Sequence, residues 1–111
     1  MPETTEEIQM LSFNIILHAG NARSCAMEAI GFAKAYEFTA ARGKIAEADK
    51  SFTEAHHVQT KLLQDEANGK KSEVTVILVH AQDHLMTAMT VKELASEMID
   101  MYERMEKLEG K

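Results

Sequence analysis

Two histidines, an aspartate and a threonine sit at helical spacing in the segment Val79-His80-Ala81-Gln82-Asp83-His84-Leu85-Met86-Thr87. On an α-helix, residues three and four apart share a face, so His80, Asp83, His84 and Thr87 form one polar strip. The strip runs beside Ile77, Val91 and the Ala81/Ala88 seam, where apolar groups would be expected. Three readings of the histidine pair are open. Two histidines one turn apart can hold zinc, as in H-E-x-x-H, but here the acid stands at the third offset and that motif's general base is missing. Both rings can instead be hydrogen-bonded parts of a helical bundle. The third reading is nucleophilic: a free imidazole titrates near about pH 6.5, so its neutral form is a good phosphoryl acceptor in the cell. His84 would then be placed to hydrogen-bond the arriving phosphoryl oxygens.

Asp83 poses a separate question. A carboxylate buried alone must be paired, protonated or bound to a cation. The sequence offers no Lys or Arg one turn away on that face. If the helix packs about a symmetry axis, several copies of Asp83 converge, and a hard divalent cation relieves their repulsion. The alternative is an Asp83 that faces water.

The remaining polar residues carry less. His18 falls on a helical seam and reads as an interior histidine. His56 and His57 are adjacent, so their side chains diverge and make no compact metal site. Cys25 reads as a buried, inert thiol at a core position. The methionines Met86, Met89, Met98, Met101 and Met105 read as adaptable packing. Gly20, in mid-helix, costs roughly 1 kcal/mol relative to Ala, and its return is a close helix crossing or room beside a site.

These residues need long helices to position them, and the composition supplies them. The chain has 111 residues, one Pro and five Gly, too few breakers for an all-β protein. Hydrophobic residues make up 45%, but aromatics only 5% and Trp is absent, so helices must approach closely or chains must pool their surfaces. The net charge of −6, with acids and bases interspersed, argues against nucleic-acid and membrane partners. The single cysteine fits a reducing cytoplasm, the N-terminus lacks the basic region of a signal peptide, and no apolar run reaches the length of a membrane span.

Apolar and small residues recur in alternating steps of three and four, the spacing of packed helices. The series are Ile8, Leu11, Ile15, His18, Ala22, Cys25, Ala29 and Phe32, then Phe38, Ala41, Ile45, Ala48, Phe52, Ala55, Gln59 and Leu62, then Ile77, Ala81, His84, Ala88, Val91, Ala95, Met98, Tyr102 and Met105. They predict one all-α domain over 1–111, with three long helices at about 4–34, 37–68 and 72–109. Thr4 or Thr5 caps the first and Ser72 the third, with Val74-Thr75-Val76 in its first turn. Ala35-Tyr36-Glu37 forms the first turn, and Asn68-Gly69 stops the second helix. A second apolar line through Leu78, Leu85 and Met89 gives the third helix neighbours on two sides, which predicts homo-oligomerisation.

The nine-residue segment resembles the signature of the lactose/cellobiose-type enzyme IIA of the bacterial phosphoenolpyruvate-dependent sugar phosphotransferase system. Ala19-Gly20-Asn21-Ala22-Arg23-Ser24, Glu54-Ala55-His56 and Gln59-Thr60 support it, in family order, from about Ile8 to Glu109. The resemblance implies a cytoplasmic phosphoryl carrier in the uptake of a β-linked disaccharide. His80 matches the phosphorylated histidine, which accepts phosphate from HPr and passes it to a cysteine of IIB, itself coupled to the membrane component IIC. Gln82 and His84 match residues lining the phosphoryl pocket between subunits. Asp83 matches a ligand of one divalent cation, usually magnesium, on the axis of a homotrimeric nine-helix bundle. The chain departs from the family at Ala35-Tyr36-Glu37, where an Asn-Gly-Asp-like turn is common. Two other classes compete. A two-component histidine phosphotransfer domain usually shows His-x-x-Lys-Gly, absent here. A structural helical adaptor would explain the seams but not the strip.

Overall fold

The computed structural model describes residues 5–71 and 73–110. Three helices fill it: α1 Thr5–Lys34, α2 Phe38–Ala67 and α3 Val76–Leu108. They fold back and forth into a rod of 62 × 20 × 18 Å, with α1 and α3 running the same way. Helix α1 packs along both others, whereas α2 and α3 meet over far fewer residues.

Both ends of α2 follow from local backbone chemistry. At its end, Gly69 takes a left-handed φ of 86°, so that Lys70 N donates to Asp65 O at 2.8 Å and Gly69 N to Glu66 O at 3.0 Å. This is the stop expected from Asn68-Gly69. The α1–α2 turn uses the same hydrogen-bond pattern without a glycine. Glu37 N donates to Phe32 O and Tyr36 N to Ala33 O, both at 2.9 Å, which forces Tyr36 to φ 61°. A left-handed non-glycine residue costs about 1–2 kcal/mol. The Tyr36 ring stacks on Phe38 at 6.0 Å, and its hydroxyl donates to the Glu109 carboxylate, which raises the phenol's pKa.

The third helix starts later than expected. Val76 is its first residue and Thr75 its cap, with Leu78 N donating to Thr75 Oγ1 at 3.2 Å. Val74 and Thr75 therefore precede the helix, because the threonine hydroxyl meets the first orphan N–H groups. The expected caps Thr4 and Ser72 lie outside the described residues.

The α2 seam packs as its spacing predicts, with Ala41, Ala48, Phe52, Ala55 and Leu62 buried. On α1 the seam lies one residue over at alternate steps: Ser12, Ala19, Ala26 and Ala33 are buried, while Leu11, His18, Cys25 and Phe32 flank it half-exposed. Cys25 is accordingly not fully buried. Its thiol lies 3.8 Å from Glu47 Oε2, and partial burial, then that carboxylate, push its pKa up. On α3 the buried line is Ala81, Leu85, Ala88, Ala95 and Ile99, so His84, Val91 and Met98 stand beside it rather than in it.

The cause is close approach. Eleven of the seventeen buried apolar residues described are alanine. Where backbones pack this tightly, methyl groups fit the contact line and larger side chains move to its flanks. The Ser12 hydroxyl is also buried there without a hydrogen-bond partner among the described residues. No helix among the described residues is long and apolar enough to cross a membrane.

Candidate functional site

His80 lies on the second turn of α3 with its side chain exposed. One turn on, the His84 ring lies parallel to it, with centroids 6.0 Å apart and planes within 3°. The i,i+4 spacing produces this alignment. His84 is half-buried because it turns toward α1, where a Cβ built on Gly20 would stand 3.6 Å from His84 Nε2. That is ordinary van der Waals distance, so Gly20 lies beside the site but the His84 ring does not require its missing side chain.

The structure divides the predicted strip. At about 100° per residue, His84 and Asp83 fall on opposite sides of His80. His84 faces α1. Asp83 is exposed, and it has no salt-bridge partner among the described residues. Of the two settings considered for this carboxylate, a single chain therefore gives the solvent-facing one. Thr87 has turned back on its own helix, its hydroxyl 2.9 Å from Asp83 O and 3.2 Å from His84 O.

Gln82 points the other way. Two residues from His80, it falls on the α2 flank, where Gln59 Nε2 donates to its side-chain oxygen. It borders a small cleft with Leu62, Leu63, Val74 and Leu78. Within one chain, Gln82 and His80 do not share a pocket. Sequence reasoning quoted Gln59 and Gln82 in separate segments and missed their pairing, although their glutamine amides are natural partners on facing helices.

His56 and His57 line a larger groove of about 540 Å³ between α2 and α3, floored by Phe52 and Met89 and edged by a Lys92–Asp49 ion pair at 2.9 Å. His80 is not part of it. Among the described residues, no group of three or more His, Cys, Asp or Glu side chains is placed to hold a metal ion. One chain offers a cation only the carboxylate of Asp83 on that face, so a site there needs further copies.

An exposed imidazole with a parallel imidazole behind it can accept a group at one nitrogen and have that group's charge met by the second ring. The whole chain resembles proteins of known family. The family described as "PTS system, Lactose/Cellobiose specific IIA subunit" matches residues 10–103. The chain is 51% identical over 105 residues to the lichenan-specific phosphotransferase enzyme IIA component of Bacillus subtilis (strain 168), covering 95% of this chain and 96% of that one. A crystal structure of the PTS cellobiose-specific enzyme IIA from Bacillus anthracis superimposes with a TM-score of 0.88 at 51% identity, covering 95% of this chain and 94% of that one. The IIA(Chitobiose) chain in its solution complex with HPr, from Escherichia coli, gives 0.79 at 39% identity, covering 90% of this chain and 97% of that one.

Proposed function

The chain belongs to the lactose/cellobiose-specific IIA family of the PTS system, a phosphotransferase component, and from that membership we propose that His80 is its phosphoryl carrier. The observation that carries this reading is the exposed His80 ring aligned with His84 at 6.0 Å. The donor is HPr, the partner of the chitobiose relative in its complex. The acceptor is a cysteine thiolate of the IIB component, which serves the membrane component IIC. The sugar is a β-linked disaccharide, in line with the cellobiose and chitobiose named for the relatives.

The neutral imidazole attacks phosphorus in line through its solvent-facing nitrogen, Nε2. The new N–P bond forms as the bond from phosphorus to the donor breaks, and the donor keeps that electron pair. In the second step the IIB thiolate attacks the same phosphorus, and the N–P bond returns its electrons to His80. Little covalent chemistry is left to the protein, so positioning and charge stabilisation dominate. His84 donates a hydrogen bond to an equatorial phosphoryl oxygen. Because a chain's own Gln82 faces away from its His80, the glutamine that reaches the phosphoryl group comes from a neighbouring copy.

We read the assembly as a homotrimer, a bundle of nine helices with α3 on the axis. The exposed apolar face of α3 supports it, as Val79, Met86, Leu94 and Met101 stand in solvent in a single chain. Three Asp83 carboxylates brought together by such an assembly would hold one divalent cation, and their oxygen ligands would suit magnesium. Such a cation neutralises the carboxylates and takes no part in transfer.

Incubation with phosphoenolpyruvate, enzyme I and HPr, followed by mass-spectrometric mapping of the acid-labile phosphate, tests the assignment. His80→Ala should lower incorporation to background while light scattering still shows the assembled particle. Phosphate on that variant would sink the assignment.

A further inference from the structure

Helices α2 and α3 touch over few residues, and among the described residues polar side chains bridge them at three levels. Arg42 holds Asp100 and Glu103, Asp49 holds Lys92 at 2.9 Å, and Gln59 Nε2 donates to Gln82 Oε1. The glutamine pair keeps the antiparallel register of the Asp49–Lys92 pair and lies nearest His80 along α3. Two levels are ionic, and the one beside the candidate carrier is a neutral amide pair.

The direction of that bond decides what Gln82 can offer. Both glutamines are half-buried, and Gln82 borders a cleft lined by Leu62, Leu63, Glu66, Val74 and Leu78. A side-chain amide has one acceptor oxygen and one NH2 donor group. The oxygen of Gln82 is taken by Gln59, and its own Nε2 has no hydrogen-bond partner among the described residues. Held this way, Gln82 keeps its N–H groups for another acceptor. Reversed, it would present a carbonyl oxygen, which a phosphoryl group repels. The bond from Gln59 also polarises the Gln82 amide, which makes the free N–H a stronger donor.

We propose that Gln59 is a positioning residue for phosphoryl transfer, its N–H fixing the Gln82 amide so that Gln82 donates to a phosphoryl oxygen on His80 of a neighbouring copy. This rests on the reading above that places Gln82 against that phosphoryl group. Gln59 acts through Gln82 alone. During transfer the charge is spread over the equatorial phosphoryl oxygens, and a donor aimed beforehand needs no rearrangement as that charge develops. A glutamine left untied has rotamer freedom to lose each time it meets the phosphate. The tie to α2 removes that loss from the transfer step.

The test compares Gln82→Leu, Gln59→Glu and the double variant in the full chain. Initial phosphorylation rates are measured against the concentration of phospho-HPr, and the phosphate is mapped. The Gln59→Glu carboxylate only accepts, so it turns the Gln82 amide round and aims its carbonyl at the phosphate. Gln82→Leu should lower kcat about tenfold, the scale of one hydrogen bond to a charged group, with KM for HPr little changed. Gln59→Glu should do the same, and the double variant should fall no further than Gln82→Leu alone. A further drop in the double variant would reveal plain charge repulsion and overturn the proposal, as would an unchanged kcat in Gln59→Glu. Gln59→Lys, which only donates, should keep kcat within about threefold of the parent, and a tenfold fall there would count equally against it. If Gln59→Glu lowers thermal stability, Gln59→Leu takes its place, with a smaller fall in kcat that again vanishes in the Gln82→Leu background. An unchanged kcat in Gln82→Leu would instead overturn the placement of Gln82 beneath the proposal, and phosphate away from His80 would overturn the carrier assignment.

Discussion

Helices α2 and α3 are nearly equal in length, 30 and 33 residues, yet they treat water in opposite ways. Among the described residues α2 exposes one large apolar side chain, Leu63, whereas α3 exposes eight between Val76 and Leu108. Helix α2 also supplies a partner to each of a set of ion pairs. Arg42 holds Asp100 and Glu103, Lys44 holds Glu28 and Glu47, and Asp49 holds Lys92. One helix is finished as a solvated exterior, clamped to its neighbours by charge. The other keeps an apolar face that a lone chain leaves uncovered, with Asp83 set among its residues. The candidate histidines His80 and His84 stand on the helix of the second kind. Under the relay role proposed above, α3 is the element that other molecules meet.

The largest test of this contrast is Asp83→Leu. Replacing a buried charge cluster by packed apolar groups is often stabilising by about 1–4 kcal/mol. The variant should assemble without metal and resist chelators better than the parent, read by thermal unfolding with and without EDTA. If it unfolds or dissociates instead, α3 does not lie on a shared axis.

Arg42→Ala probes α2 and should do much less. Exposed ion pairs contribute about 0–1 kcal/mol even in small networks, so the melting point should fall by a few degrees at low salt and less at high salt. Phosphoryl uptake should be unchanged, because Arg42 lies near the Asp100 end of α3, far from His80. A loss of uptake would blur the division between the helices.

The smallest effect belongs to Lys44. Its ammonium, by hydrogen bond and then by charge, holds the Glu47 carboxyl below the usual glutamate range. A depressed folded pKa contributes stability above the unfolded value of about 4.3, and that contribution fades as pH falls through the folded value. Lys44→Met should flatten the decline in melting point in that acid window. An identical pH profile would show that the pair is an ornament of the surface.

Much of this was legible in the residues themselves. The three helices fall within a few residues of the expected bounds at every end, and the His80–His84 alignment follows from spacing alone. The α1 seam was not, because Leu11 and Phe32 look like better core residues than Ser12 and Ala33. Hydrophobicity ranks the larger side chains first, but close approach selects the smaller ones. The direction of Gln82 was hidden for another reason: membership in one motif suggested one pocket, while two residues on a helix means nearly opposite sides. An exposed apolar ridge on α1, Met10, Phe13 and Leu17, was also missed, though its steps of three and four stand in the sequence. The stripe from Ile8 to Phe32 on the same helix already accounts for a packed face.

The seam of α1 from Ala19 to Ala33 has a mechanical consequence. A methyl group has no rotamers to exchange, so this contact line has no alternative packing to switch into. The platform beneath the two imidazoles behaves as a stiff spar rather than a hinge. Under the proposed relay role, donor and acceptor take turns on one fixed landing.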